Sequence, residues 1–382
     1  MNLKVNGFNI FLIVFVTFLL SLILVPIIKK LAIYIGAMDE PNERKIHHVP
    51  MPRLGGVAIF ISFLIGYMIF GTINTQMISI LIGSFLLLLI GIFDDIKPIK
   101  ARYKLVVQIL AAVVVVFYGQ IYFQEISLFG LNISLNVWLA KILSAFFIVA
   151  IANAINLIDG LDGLAGGISS IYFITIAIIA FILNRFGGLD VLLCLIALGA
   201  TLGFLVYNFP PAKIFMGDSG SLFLGFIIAV ISLLGYKVAT ITSLVIPITI
   251  LAIPIFDTLF AILRRLLKKQ NITKADKEHF HHQLLKLKYS PVASILIIYA
   301  IDIMFASISI FYVLGDQKIA MVMYIIMLIL LLFVVIKTDI LFEHKKSKNS
   351  KELNEPKELN KPKKPKKSKK SNKLKKTKKG KI

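Results

Sequence analysis

Cysteine is nearly absent. The 382 residues contain one, Cys194, set inside an apolar run, so neither a disulfide framework nor a cysteine metal site is available. Charge is scarce too. Asp, Glu, Lys and Arg make up 16% of the chain, against about a quarter in soluble domains. Acidic residues number 20 against 42 basic ones. There is no alternating strand pattern of about ten residues that would mark a membrane barrel, and no repeat with a period of about 20–50 residues. What is abundant is apolar: 58% hydrophobic residues and a mean hydropathy of +0.87. An ordinary soluble enzyme is excluded.

The apolar residues gather in runs long enough to cross a bilayer, which takes about 20 residues per helix. The first, Phe8 to Ile28, is long for a signal sequence, lacks a small-x-small cleavage site and ends in Lys29 and Lys30. It is therefore expected to be a retained span. Further runs follow at 55–73, 77–93, 104–121, 137–153, 165–184, 189–208, 219–236, 241–263, 291–314 and 318–336. The expected fold is all-α and polytopic, with about eleven transmembrane helices, since backbone in lipid must satisfy its own hydrogen bonds. Pro247 and Pro254 are expected to bend the ninth span.

An odd number of spans puts the termini on opposite sides. The loops on one side carry eighteen Lys and Arg before residue 345, and those on the other carry five, Lys4, Lys141, Arg185, Lys237 and Lys318. The expected orientation is N-terminus outside and C-terminus cytoplasmic. Residues 1–344 form the membrane portion. Residues 345–382 hold 18 lysines against Glu352, Glu355 and Glu358, +15 of the formal +22, and are expected to be a disordered cytoplasmic tail. Its basic residues suit anionic lipid, at about 1 kcal/mol each near the surface. The alternative is a solubilising or orienting appendage. No nucleic-acid-binding fold remains outside the membrane, so no nucleic-acid partner is expected.

The polar residues are one-sided. With this orientation ten acids and five of the six histidines lie on the cytoplasmic side, and Asp302 alone looks mid-membrane. A transporter of an anionic solute would instead line its span centres with polar groups. Five stretches stand out. GIFDD (91–95) ends a span on two adjacent carboxylates, Asp94 and Asp95. They would relieve their mutual repulsion on a divalent cation or a basic partner, or simply sit against Lys97 and Lys100. NAINLIDGLDGLAGG (153–167) crowds Asn156, Asp159 and Asp162 into a glycine-rich turn, a place for backbone to approach a ligand. NFPPAKIFMGDSGS (208–221) puts Asp218 at a span start, where helix-start amides suit an anion and the carboxylate suits a cation; a plain N-cap is compatible. EHFHH (278–282) brings His279, His281 and His282 together, without the spacing or cysteines of a zinc site, so phosphate contact is favoured. DEPNERKIHHVPMPRLGG (39–56) carries Arg53 and a glycine pair that suits close helix packing or ligand approach.

Taken in chain order from 39–56 to 278–282, with PIFDT (254–258) before the last, these blocks resemble the bacterial polyprenyl-phosphate N-acetylhexosamine-1-phosphate transferases over about residues 8–336. The muramyl-pentapeptide branch usually carries three consecutive histidines. The interrupted His279-Phe280-His281-His282 is similar to the branch that moves N-acetylglucosamine-1-phosphate onto undecaprenyl phosphate. The resemblance implies UDP-GlcNAc as donor, UMP as leaving product, Mg2+ or Mn2+ as cofactor, and a multi-pass enzyme of the bacterial cell membrane with its site on the cytoplasmic face. By motif position it implies Asp218 as metal ligand, Asp94 as catalytic carboxylate and Asp95 beside it, positioning metal or lipid phosphate. Asn156, Asp159 and Asp162 would line the nucleotide-sugar pocket, and the three histidines would contact the donor diphosphate or sugar. Arg53 stands where the muramyl branch has a different residue, and is expected to bind substrate. Apolar faces could support a homodimer, though no motif specifies one.

Overall fold

In a computed structural model of the chain, the described residues are 3–40, 49–123, 125–128, 131–185, 187–237, 244–267, 269 and 279–337. The predicted tail, Lys268, Glu278 and loop residues 41–48 lie outside them. Apolar runs become helices: α1 (Ile10–Ile35), α2 (Gly55–Phe70), α3 (Thr75–Ile96), α4 (Ala101–Val113, extended by a π-helical turn at Val114–Tyr118), α5 (Val137–Ile158), α6 (Leu164–Ile182), α7 (Leu189–Asn208) and α8 (Gly217–Lys237). They continue as α9 (Val245–Ile250), α10 (Ala252–Leu267), α11 (Phe280–Lys286), α12 (Pro291–Leu314) and α13 (Gln317–Lys337). Among the described residues, eight helices are long and apolar enough to cross a membrane, and α2 and Gln317–Phe333 are shorter apolar helices. This is a polytopic, mostly helical membrane protein.

One expectation needs correction. The 241–263 run is not one helix. It breaks at Leu251 (φ −96°, ψ 21°) between α9 and α10. Pro254 is the third residue of α10 and has no N–H to return to Ile250, so a continuous hydrogen-bond ladder cannot cross this point. The all-α expectation holds, and beside the helices three short antiparallel hairpins pair β1 (Lys4–Val5) with β2 (Phe8–Asn9), β3 (Met38–Asp39) with β4 (Met51–Pro52), and β5 (Glu125–Leu128) with β6 (Leu131–Ser134). By contrast α12 occupies its predicted bounds, because Ser290 caps Ala293 N–H, Pro291 pre-sets the first turn and Gly315 closes the end.

The core sits around α8, which is buried along nearly all of its apolar length against α5, α3, α2 and α7. Lipid tails are as apolar as leucine, so such a helix is held by close packing of small residues. The glycine pair at the start of α2 serves this purpose: a methyl on Gly56 would collide with the Gly220 backbone. The chain before α2 is stitched to the chain before α8, with Phe215 N–H donating to Pro52 C=O (2.8 Å) and Gly56 N–H to Met216 C=O (2.9 Å). That stitch brings Arg53 alongside Asp218.

Candidate active site

Four aspartates and two cations meet where α3, α4 and α8 begin or end. Asp94 and Asp95 are consecutive on α3, and consecutive helical side chains point about 100° apart. Their environments therefore differ. Asp95 is buried and turned to the head of α8, where it accepts from Asp218 N–H (2.8 Å), Ser219 N–H (3.2 Å) and Ser219 Oγ (2.7 Å). A helix N-terminus favours such an anion. Gly217 permits the approach: it sits at φ +74°, and a side chain there would strike the Asp95 carboxylate. Asp94 accepts instead from Ile99 N–H (2.8 Å) and lies 3.3 Å from Lys104 Nζ.

Lys104 also donates to Asp218 Oδ2 at 2.7 Å, so one ammonium joins Asp94 to Asp218. Arg53 spreads over three carboxylates: Asp39 at 3.1 Å, Asp95 at 3.5 Å and Asp218 at 3.9 Å. Burial works against the Arg53 charge, but Asp95, Asp39 and Asp218 outweigh it, holding the guanidinium above its ordinary range. Two cations thus partly neutralise an acidic cluster that would otherwise repel itself.

The second half of the site is the Asp159–Gly163 turn. Burial pushes the Asp159 carboxyl up to about 8, with the negative charge of Asp218 adding to the effect and Arg53 opposing it. Electrostatically the turn belongs to the same site. The ring of His281 lies against Gly160, where a side chain would collide with it. His281 is buried, and neither ring nitrogen has a hydrogen-bond partner among the described residues. Burial, then His282 and His279, hold it well below its ordinary range. It is neutral at pH 7, with one N–H to offer a ligand. His282 packs 4.2 Å from its ring centroid.

The other expected residues hold the site together. Asn156 donates to Ser221 Oγ (2.8 Å), tying α5 to α8. One Asp162 oxygen accepts from Ala212 N–H (3.0 Å). His279 is anchored through Nδ1 to Asp257 Oδ2 (2.8 Å), and Asp257 Oδ1 accepts from Phe280 N–H (2.9 Å). Asp257→Ala would strand both partners in a buried position, at about 1–3 kcal/mol each. It is expected to lower the unfolding temperature in detergent, and Asp257→Asn, which retains an acceptor, should lower it less.

Sequence patterns alone do not mark Lys104 as a site residue, since it counts there only toward loop charge. Asp39 and Asp257 stand out in the sequence without a role. A lysine at the head of an apolar helix and an aspartate inside PIFDT are the available signals. Asp302, the acid expected at mid-membrane, is sealed within α12 and has no hydrogen-bond partner among the described residues.

Among the described residues, no group of three or more His, Cys, Asp or Glu is arranged to hold a metal ion. The donor chemistry nevertheless fits Mg2+, which commonly takes one or two carboxylates and completes its shell with water and substrate phosphate. Asp94 and Asp218 already share a single cationic partner.

Residues 77–236 match the family model described as glycosyl transferase family 4. The chain is 46% identical over 294 residues to a Bacillus subtilis (strain 168) protein named "Probable undecaprenyl-phosphate N-acetylglucosaminyl 1-phosphate transferase", covering 76% of this chain and 81% of that one. It is 32% identical over 302 residues to the decaprenyl-phosphate N-acetylglucosaminephosphotransferase of Mycolicibacterium smegmatis, covering 71% of this chain and 74% of that one. A phospho-N-acetylmuramoyl-pentapeptide-transferase of Bacillus mycoides is 33% identical over 230 residues, 56% of this chain and 70% of that one. With relatives matched across most of both chains, and with the aspartate cluster of α3 and α8 inside the matched region, the chain belongs to glycosyl transferase family 4.

Proposed function

We propose that this protein transfers N-acetylglucosamine-1-phosphate from UDP-GlcNAc to undecaprenyl phosphate, releasing UMP and forming undecaprenyl-diphosphate-GlcNAc. The product would begin a cell-envelope polysaccharide or a teichoic acid linkage unit. The observation that carries this reading is the juxtaposition of the carboxylate–cation cluster (Asp94, Asp218, Lys104 and Arg53) with a neutral His281 whose ring nitrogens have no hydrogen-bond partner among the described residues. The relatives named for this transfer support it. The basic loops favour a site on the cytoplasmic face of the cell membrane, where a soluble donor and a membrane-bound acceptor can meet. There, with the tail on the same side, its lysines would attract anionic lipid.

The chemistry sets anion against anion. An oxygen of the acceptor phosphate attacks the sugar-bearing phosphorus of the donor. The new P–O bond forms as the bond to the UMP oxygen breaks, and UMP leaves with that electron pair. Lys104 and Arg53 reduce the repulsion between the two phosphates. The acceptor's second pKa is near 6 by analogy with phosphoserine, so much of it is already dianionic at neutral pH. Asp94 then removes any remaining proton or orients the attacking phosphate, and direct attack is favoured over a phospho-aspartyl intermediate. Asp95, committed to the head of α8, holds Asp218 in place. Asp218, with Asp94, would hold Mg2+ (or Mn2+), which when bound supplies further charge neutralisation at the phosphates. His281 and His282, with the Asp159–Gly163 turn, would receive the donor diphosphate and sugar.

Purified protein, undecaprenyl phosphate and Mg2+ are expected to release UMP from UDP-GlcNAc and not from UDP-MurNAc-pentapeptide. Release from the second donor alone would overturn the assignment. So would silence from both with well-folded protein.

A further inference from the structure

The Asp159–Gly163 turn is tethered to α12, a helix that carries none of the site motifs. Tyr299 Oη donates to the Gly163 carbonyl at 2.6 Å, across 136 residues of sequence. The contact is built from both sides. Gly167, on the first turn of α6, leaves the space that the hydroxyl occupies, and a methyl there would collide with it. Among the described residues the turn is also held to the end of α7 and the segment after it, with Gly163 N–H donating to Asn208 Oδ1 (2.9 Å) and Ala212 N–H to Asp162 Oδ2 (3.0 Å). Neither of those bonds reaches the histidines. α12, however, follows α11 after a short connection, and α11 carries His281, whose ring lies against Gly160. A loop and a short helix that meet at the His281 ring need a second point of registration, because a donor seated between them binds tightly only where both sides are preorganised.

We propose that Tyr299 is a positioning residue that sets the distance between the Asp159–Gly163 turn and the His279–His282 segment, and thereby the fit of the donor between them. The inference rests on the transfer reading above for its identification of the donor. It predicts that Tyr299→Phe, which keeps the ring and deletes one hydrogen bond, raises the KM for UDP-GlcNAc by about tenfold. The KM for undecaprenyl phosphate should stay unchanged and kcat should move by less than about twofold. Gly167→Ala, which drives the hydroxyl away from the other side, should give the same split.

The test pairs these kinetics with amide hydrogen exchange on the full-length protein, which needs no substrate. Faster exchange across residues 159–167 and 279–286 in Tyr299→Phe, with other spans unaltered, is the expected result. Unchanged exchange there would overturn the proposal. Equal rises in both KM values would also overturn it, since a merely structural tether predicts them. Should the unaltered protein reject UDP-GlcNAc, the exchange result still decides the role of Tyr299, and only the identity of the donor falls.

Discussion

Asp218→Asn is expected to reduce UMP release by about a thousandfold or more. The replacement has the same shape and keeps an acceptor, so the loss would come from charge. Asp218 shares Lys104 with Asp94 and faces Arg53, and it is the residue proposed to hold the divalent cation. Without it Lys104 retains Asp94, and Arg53 retains Asp39 and Asp95, so neither cation is stranded and the fold should survive. The checking measurement is turnover as Mg2+ is titrated, beside a thermal melt in detergent. Near-normal turnover at ordinary Mg2+ would remove Asp218 from the metal role. A collapsed melt would point to a structural one.

Arg53→Met should be costly in a different way. The guanidinium serves Asp39, Asp95 and Asp218 at once, and Asp95 is fully enclosed. Removing one partner of a buried ion pair costs about 3–5 kcal/mol. Arg53 is itself a quarter exposed, so the lower end, about 3 kcal/mol, is expected here. A lower melting temperature together with strongly reduced turnover is the expected pair of results. Added Mg2+ should recover part of the melt, because a divalent cation compensates the same carboxylates. Arg53→Lys should be intermediate: an ammonium keeps the charge but cannot present a planar fork to three acids. If Arg53→Met melts like the unaltered protein, the cluster is held together without it.

Much of this protein is legible in its amino-acid sequence. Ten of the apolar runs reappear as single helices, because in a bilayer an apolar stretch of sufficient length has only one way to satisfy its backbone. The run at 241–263 does not, although its prolines are plain to see. A bend and a break look alike in sequence, and only the turn at Leu251 distinguishes them. The acidic blocks are legible as a group because carboxylates collected at a membrane boundary need a counter-charge. What supplies it is not. Lys104 reads as one more loop cation until α4 is placed beside α8. The histidine spacing identifies a branch within the family, but the neutrality of His281 follows from its burial among its neighbours.

The sequence by itself determined that this chain is a membrane protein, where most of its helices lie and which aspartates and histidines are the candidates for its chemistry. Those are local properties of hydropathy, helix-ending residues and motif spacing. Tertiary structure alone decided how the roles divide. Asp94 and Asp95 are equivalent as neighbours in the chain, and they separate only because helical geometry turns one toward Lys104 and the other into the head of α8. Tyr299 carries no local signal at all, since its partner lies 136 residues away and exists only once α12 is packed against α6.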